Sequence, residues 1–417
     1  MIPAVFSRAP LLVFAACVLP RLGYLLLVDP HPEPTLYSGL AGPLPGRSGP
    51  EVLHQTMIEP AYPLLLAAAR WLLVDARLVL AAQIAIAAVG GVWLHRLATT
   101  LTGDRRAGAF AAAFYALDPF LVRQAANFME VSTLTTLLIG TAYYASRTSA
   151  PAAVALGGVA GLAVLTRFSV APIALAALAI VFWRRPRTGI VAAACAALLV
   201  GSWVARMQAL NGAVVPTRLG SSLYTALSPE AEQIGPTVNW DVLSEYAYAK
   251  GSAAVGHRGL SLVEHQRAQD EFLLSESLRF AREHPWRALR LKLRHFLHVF
   301  NPRLLPYERL PEGQYAQVVE GRVLLPRMEP RPVWEDVVHA TWRTLLLALA
   351  LAGIWLRGIR RDDAVLWATV VTVALVQTIF SPTTRLTTPM VFVWMFFAAV
   401  AAARLLRGSS EAAPTRR

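Results

Sequence analysis

The chain has 417 residues, 55% of them hydrophobic and only 16% charged, with a mean hydropathy of +0.46, which excludes an ordinary soluble domain. Its formal charge of +13 is almost wholly arginine, since Lys250 and Lys292 are the two lysines. No basic stripe alternates with aromatics, so no nucleic-acid partner is expected. Cys17 and Cys195 both fall in apolar runs, which argues against a disulfide framework or a thiolate metal site.

The first apolar run, 9 to 28, continues through Pro20-Arg21 without a small-residue cleavage site and reads as a retained helix. A loop from 29 to 76 follows, rich in Pro and Gly, and it carries three carboxylates, Asp29, Glu33 and Glu59. Tyr62 to Val74 is short for a span and reads as an interfacial helix. Further runs at 77 to 98, 107 to 122, 128 to 146, 188 to 207, 336 to 356, 364 to 381 and 387 to 406 are each near the ~20 residues a span needs. The stretch from Ala152 to Trp183 has Arg147 before it and Arg184, Arg185 and Arg187 after it. It therefore crosses twice, with Thr166-Arg167 at the far tip.

The expected fold is an all-α integral membrane bundle of about ten spans. Arg8, Arg96, Arg105, Arg106, Arg147, Arg184, Arg185, Arg187, Arg357, Arg360, Arg361, Arg404, Arg407, Arg416 and Arg417 then share one side. By the positive-inside rule that side is cytoplasmic and holds both termini. The expected divisions are an N-terminal transmembrane module, 1–207, containing the 29–76 loop, an outer segment, 208–335, C-terminal spans, 336–408, and a disordered tail, 409–417.

Within the outer segment, Ser261 to Phe280 and Pro285 to Phe300 read as helices, the second opened by its proline. Trp286, Leu289, Leu293, Phe296, Leu297 and Phe300 repeat there at helical spacing, with Arg287, Arg290, Arg294 and His298 on other faces. Two readings stand: a helix lying in the lipid interface, or an amphipathic helix packed on protein.

The acids and the isolated arginines collect on the outer side. Glu130 precedes an apolar helix, where it either caps that helix or serves a site. Asp118, before Pro119, either ends a helix or joins that site. Arg167 and Arg385 lie apart from the cytoplasmic clusters, and a guanidinium fork suits phosphate oxygens, although snorkelling to headgroups is the plain alternative. His31, His54 and His257 form no metal-type spacing, so a metal is undetermined, a divalent cation on carboxylates being the one option left. No Gly-rich phosphate loop, nucleophile elbow or dinucleotide fingerprint is present, which disfavours a soluble nucleotide donor.

In order and spacing, several stretches resemble the bacterial GT-C glycosyltransferases of family 39, which include protein O-mannosyltransferases and aminoarabinose transferases. Glu33 to Ala41 is similar to the first outer loop of that family, Glu59 to Ala67 to its P-x-Y-P-L-L-L-A stretch, and Tyr115 to Pro119 with Phe128-Met129-Glu130 to its second acidic turn. Gly161 to Arg167 resembles G-L-A-x-L-T-R, Glu283-His284-Pro285 resembles its E-H-P segment, and Arg385 to Pro389 its closing R-Y-x-x-P. The departure is Glu33, which stands where the family has aspartate, unless Asp29 serves through a shifted loop.

The resemblance implies a GT-C-like bundle and transfer of a sugar from a polyprenyl-phosphate donor in the membrane lipid to an extracytoplasmic acceptor, with inversion. The implied roles are Glu33 or Asp29 as base, Glu59, Asp118 and Glu130 for the acceptor or a metal, and Arg167 and Arg385 for the donor phosphate. Tyr37, Tyr62 and His257 are expected in the substrate pocket. Competing readings are a transporter or lipid flippase, or a non-catalytic partner that binds polyprenyl phosphate.

Overall fold

The computed structural model describes residues 8–28, 41–42, 59–73, 75–211, 218–234, 240–256, 259–305, 308–309, 317–319, 322–324, 329–330, 332–380 and 382–411. Helices α1 (Arg8–Leu27), α2 (Ala61–Leu72), α3 (Ala76–Thr102), α4 (Arg105–Leu117), α5 (Pro119–Ala125), α6 (Val131–Ala145), α7 (Ala150–Thr166), α8 (Ala171–Arg184) and α9 (Pro186–Asn211) form the first half. The segment 208–335 follows, with α10 (Leu219–Tyr224), α11 (Pro229–Ile234), α12 (Trp240–Val255), α13 (Leu262–Glu283) and α14 (Pro285–Val299). Helices α15 (Val333–Arg357), α16 (Ala364–Ile379), α17 (Thr384–Thr387) and α18 (Val391–Glu411) close the bundle.

The fold is helical as expected, with two short antiparallel pairings beside the helices, Glu308–Arg309 with Glu329–Pro330 and Gln317–Val319 with Arg322–Leu324. Two expectations need correction. The run 107 to 122 is not one helix: Pro119 has no N–H to continue the ladder, so the chain turns at Asp118 between α4 and α5. Finally, α18 continues to Glu411, three residues into the expected tail.

Among the described residues, six helices are long and apolar enough to cross a membrane: α1, α3, α9, α15, α16 with the 3-10 turn before it, and α18 with α17. The halves of the 152 to 183 hairpin are shorter, 17 residues in α7 and 14 in α8. Helix α15 carries exposed Trp334 and Trp355 near its two ends, separated by about 32 Å along the axis. That matches a hydrocarbon core of ~30 Å with tryptophans at both interfaces.

Of these six, the span ending in α18 is the most enclosed, with Phe392, Phe396 and Phe397 fully buried. Lipid offers little hydrophobic drive between spans, so contact depends on close packing of small residues. At Gly353 of α15, an added Cβ would lie 1.8 Å from the Phe397 carbonyl oxygen, and at Gly157 of α7 2.3 Å from that of Ala192. No larger residue fits either crossing.

The two ends of the bundle differ. At one, Arg357 grips Asp363 with Nε at 2.9 Å and Nη2 at 2.8 Å, and Nη2 also donates to the Leu101 carbonyl at 2.9 Å. Arg407 pairs with Asp104 at 2.7 Å, Arg185 donates to Arg147 O, and Arg184 to Arg361 O. At the opposite end lie Glu59, Asp118, Glu130, Arg167 and the start of α15. Arg21 reaches toward that end from α1, fully buried, and donates to Tyr115 O at 3.1 Å. Tyr115 is four residues before Pro119, so the missing proline N–H leaves this carbonyl open. Arg21 fills the gap left in the last turn of α4.

Candidate active site

Glu59 lies just before α2, and its Oε1 accepts the backbone N–H of Phe168 at 3.2 Å. The preceding residue, Arg167, ends α7 in extended geometry, at φ −159° and ψ 110°. Its Nη1 lies 3.0 Å from Oε1 of Glu130, whose side chain is fully buried while that of Arg167 is 17% exposed. A carboxylate so far from water requires a counter-charge, and Arg167 supplies it. The contact is an ion pair by distance, and among the described residues Arg167 Nη1 makes no hydrogen bond.

Glu130 occupies the cap position of α6 but makes no side-chain cap bond, so the capping alternative is corrected. Helix α6 then continues with Ser132 and Thr133, whose buried hydroxyls have no hydrogen-bond partner among the described residues. Polar groups are thus concentrated around one buried carboxylate.

Tyr62 is buried and positions this corner. Its hydroxyl donates to Gln83 Oε1 at 2.5 Å, and Gln83 Nε2 donates to Ala125 O at 3.1 Å and Asn127 O at 2.7 Å. That chain of bonds fixes α2 and α3 against the turn leading into Glu130. Gln83 was not anticipated, although a lone amide in an apolar helix is a readable sign of such a tie.

Asp118 has a separate task. Its Oδ1 accepts Leu121 N at 2.9 Å, capping α5, and its Oδ2 accepts Trp342 Nε1 at 3.0 Å. Arg343 Nη2 approaches Oδ2 to 3.7 Å. Among the described residues no ion pair or hydrogen bond joins Asp118 to Glu130. Arg385 is half-buried in α17, and its neighbours Leu386 and Pro389 line one cleft with Arg167, Ser169, Leu134 and Gln377. Asp29, Glu33, Tyr37 and His257 lie outside the described residues.

Among the described residues no three His, Cys, Asp or Glu side chains are placed to hold a metal ion, and Glu130 faces a guanidinium rather than a second acid. These residues do not fit a divalent cation, and no step below passes through one.

The outer segment is tied to itself and to the bundle. Tyr224 and Tyr246 donate to the two oxygens of Glu230 at 2.7 and 3.0 Å, and Lys250 donates to the Tyr224 hydroxyl at 2.6 Å. Burial works to raise the Glu230 carboxyl, but the Tyr224 bond and then the Lys250 charge outweigh it and hold the group below the usual range. Burial and the same carboxylate push Tyr246 up to about 12. This network latches helices α10, α11 and α12 together. In α14, Lys292 donates to Ala226 O and to Ile379 O at the end of α16. Burial pushes Lys292 down to about 7 and His295 down to about 3. The large apolar residues Trp286, Leu289, Leu293, Phe296 and Leu297 are exposed, whereas Ala288, Leu291, His295 and Val299 are buried. Of the stripe read from the sequence, Phe300 packs on the bundle against Trp394, while the other five residues face outward, as an interfacial helix requires.

No protein-family model matches the chain, and no curated protein matches it. Among solved structures, the chain is similar to ArnT from Cupriavidus metallidurans, crystallised in the apo state, at 12% identity and a TM-score of 0.33. The similarity covers 95% of this chain and 74% of that one.

Proposed function

We propose that the chain is a membrane glycosyltransferase of GT-C type, which moves a sugar from a polyprenyl-phosphate donor to an extracytoplasmic acceptor. One observation carries the reading: three stretches of the resemblance, 59–67, 115–130 and 161–167, meet at Glu59, Glu130 and Arg167. Arg167 pairs with the buried Glu130 while Glu59 accepts the N–H of the residue next to Arg167, so both acids are tied to the one turn at 167–168.

The acceptor hydroxyl oxygen attacks the anomeric carbon while the bond from that carbon to the phosphate oxygen breaks, so the lipid phosphate departs with the electron pair and the configuration inverts. The hydroxyl proton passes to Glu33 or, through a shifted loop, to Asp29, as general base catalysis requires. Glu130 and Glu59 orient the acceptor, and Arg167 and Arg385 offset charge on the leaving phosphate. The acceptor is a lipid glycan, a cell-wall polymer or a protein.

The protein crosses the cytoplasmic membrane with about ten spans, the short α4, α6, α7 and α8 included. Its arginine-rich end and both termini are cytoplasmic, and the buried Glu130 lies toward the outer end of the bundle. Residues 1–207 form the N-terminal module with the catalytic loop, 208–335 the outer segment and 336–408 the closing spans.

The test is to incubate purified protein with radiolabelled polyprenyl-phosphate sugars and candidate envelope acceptors, beside Glu33→Gln, Asp29→Asn and Glu130→Gln. Transfer by the wild-type chain and its loss in either Glu33→Gln or Asp29→Asn is expected. Undiminished transfer in both removes the base assignment, and translocation of uncleaved lipid overturns the enzyme.

A further inference from the structure

Two cavities lie at the arginine-rich end, away from Glu130. The first, about 250 Å³, opens between the ends of α3, α6 and α8 and the start of α16. Buried Leu97, Val181 and Leu366 line it, together with exposed Arg184, Arg185 and Asp362. The second, about 220 Å³, is walled by the start of α1, by α3 and by Arg147, and Arg96 lines it as well. Thr100 belongs to both.

Four guanidinium groups thus line adjoining cavities, and Asp362 is the one acid among the described lining residues. It stands 3.9 Å from Arg184 Nη1, beyond hydrogen-bond reach. The acids nearby are committed elsewhere, Asp363 to Arg357 and Asp104 to Arg407. Positive charge is therefore left over around both cavities.

The cations are accessible and keep donors to spare. All four are exposed, and among the described residues no hydrogen bond or ion pair engages Arg96. Arg185 Nη1 donates to Arg147 O at 2.8 Å, and Arg147 Nη2 to the Tyr143 hydroxyl at 2.8 Å. One bond from a five-donor fork holds each group in place and leaves the others for a ligand. Orientation in a bilayer requires arginines beside the spans but does not require them to surround a void. Arg187 and Arg360 satisfy that requirement and line neither cavity.

The ligand class follows from this pairing. A guanidinium fork matches phosphate oxygens, each cavity supplies two forks, and the bond from Arg185 to Arg147 ties one pair to the other. We propose that the joined cavities bind a ligand carrying two phosphates on a short bridge, one against Arg184 and Arg185 and the other against Arg96 and Arg147. A phospholipid with two phosphates and a free diphosphate share this chemistry. The site lies at the opposite end from Glu130 and Arg167, and it stands whether or not the chain transfers sugar.

Native mass spectrometry of the full-length protein in detergent tests it, with diphosphatidylglycerol, phosphatidylglycerol, inorganic pyrophosphate and inorganic phosphate added separately. Each two-phosphate probe is compared with its one-phosphate counterpart, and whichever of the two is retained more tightly names the source. Arg96→Gln and Arg185→Gln should each weaken its retention roughly tenfold, the loss of a hydrogen bond to a charged group. Thr100→Trp fills the junction, leaves the arginines in place, and should do likewise. Arg187→Gln removes the same charge outside both cavities and should leave retention unchanged. Retention of neither two-phosphate probe, equal retention of one-phosphate and two-phosphate probes, undiminished retention in the cavity variants, or an equal loss in Arg187→Gln overturns the site.

Discussion

At the arginine-rich end, Arg357 and Asp363 are both buried, and the guanidinium spends its donors on two carboxylate oxygens and the Leu101 carbonyl. At the opposite end, Arg167 meets Glu130 without a hydrogen bond from its Nη1, and Arg343 keeps two buried N–H groups idle beside Asp118. In each case a guanidinium meets a fully buried carboxylate, and the completeness of the hydrogen bonding differs. A buried ion pair is therefore a poor marker of function on its own. A pair that has consumed its donors holds two elements together, and one that has not retains capacity for a ligand.

The largest effect should come from breaking the complete pair. Arg357→Ala leaves Asp363 buried and uncompensated, and should cost about 3–5 kcal/mol of stability, read by denaturant unfolding in detergent. Transfer per folded molecule should stay unchanged; a selective loss of transfer at equal stability would erase the contrast between the ends. Glu130→Gln should do the reverse. It keeps the side-chain shape and should lower transfer roughly 100-fold through lost positioning, with a smaller change in unfolding midpoint than Arg357→Ala.

Arg21→Met tests whether a cation at the acid-lined end is structural by the same criterion. It exposes the Tyr115 carbonyl to an apolar core and should cost about 1–3 kcal/mol, with partial recovery in Arg21→Lys. The smallest effect concerns the docking of α14. The folded Lys292 value, about 7, lies below the free value of 10.5, so the fold disfavours the charged amine. Stability should increase as pH rises from about 7 toward 10.5, and decrease as pH falls through 7. Lys292→Met should flatten that slope in a thermal-unfolding series.

The helices were largely legible because hydropathy and flanking arginines report a bilayer directly. The hairpin at Arg167 followed from charge alone, and α7 and α8 turn there. Boundaries set by a missing donor were less visible: Pro119 split a run whose apolar composition was continuous. At the site, Glu59, Glu130 and Arg167 were legible as types, but their meeting depends on how α2, α6 and α7 pack. Whether Glu130 caps or pairs is decided by a partner 37 positions away along the chain. Arg21 and Arg343 were missed as cations inside apolar runs, although a lone guanidinium in a spanning helix is itself a signal. Tyr62 was expected to line a pocket and instead braces the corner through Gln83.

The bond from Arg21 to the Tyr115 carbonyl also constrains biosynthesis, because 94 residues separate the two. Helix α1 leaves the ribosome with a cation that lipid rejects by about 2.5–3.5 kcal/mol at mid-span. At ~5–20 residues per second, the acceptor carbonyl is made roughly 5–20 s later. Throughout that interval the nascent helix must wait at the translocon or tilt its arginine toward water, and it settles only when α4 arrives.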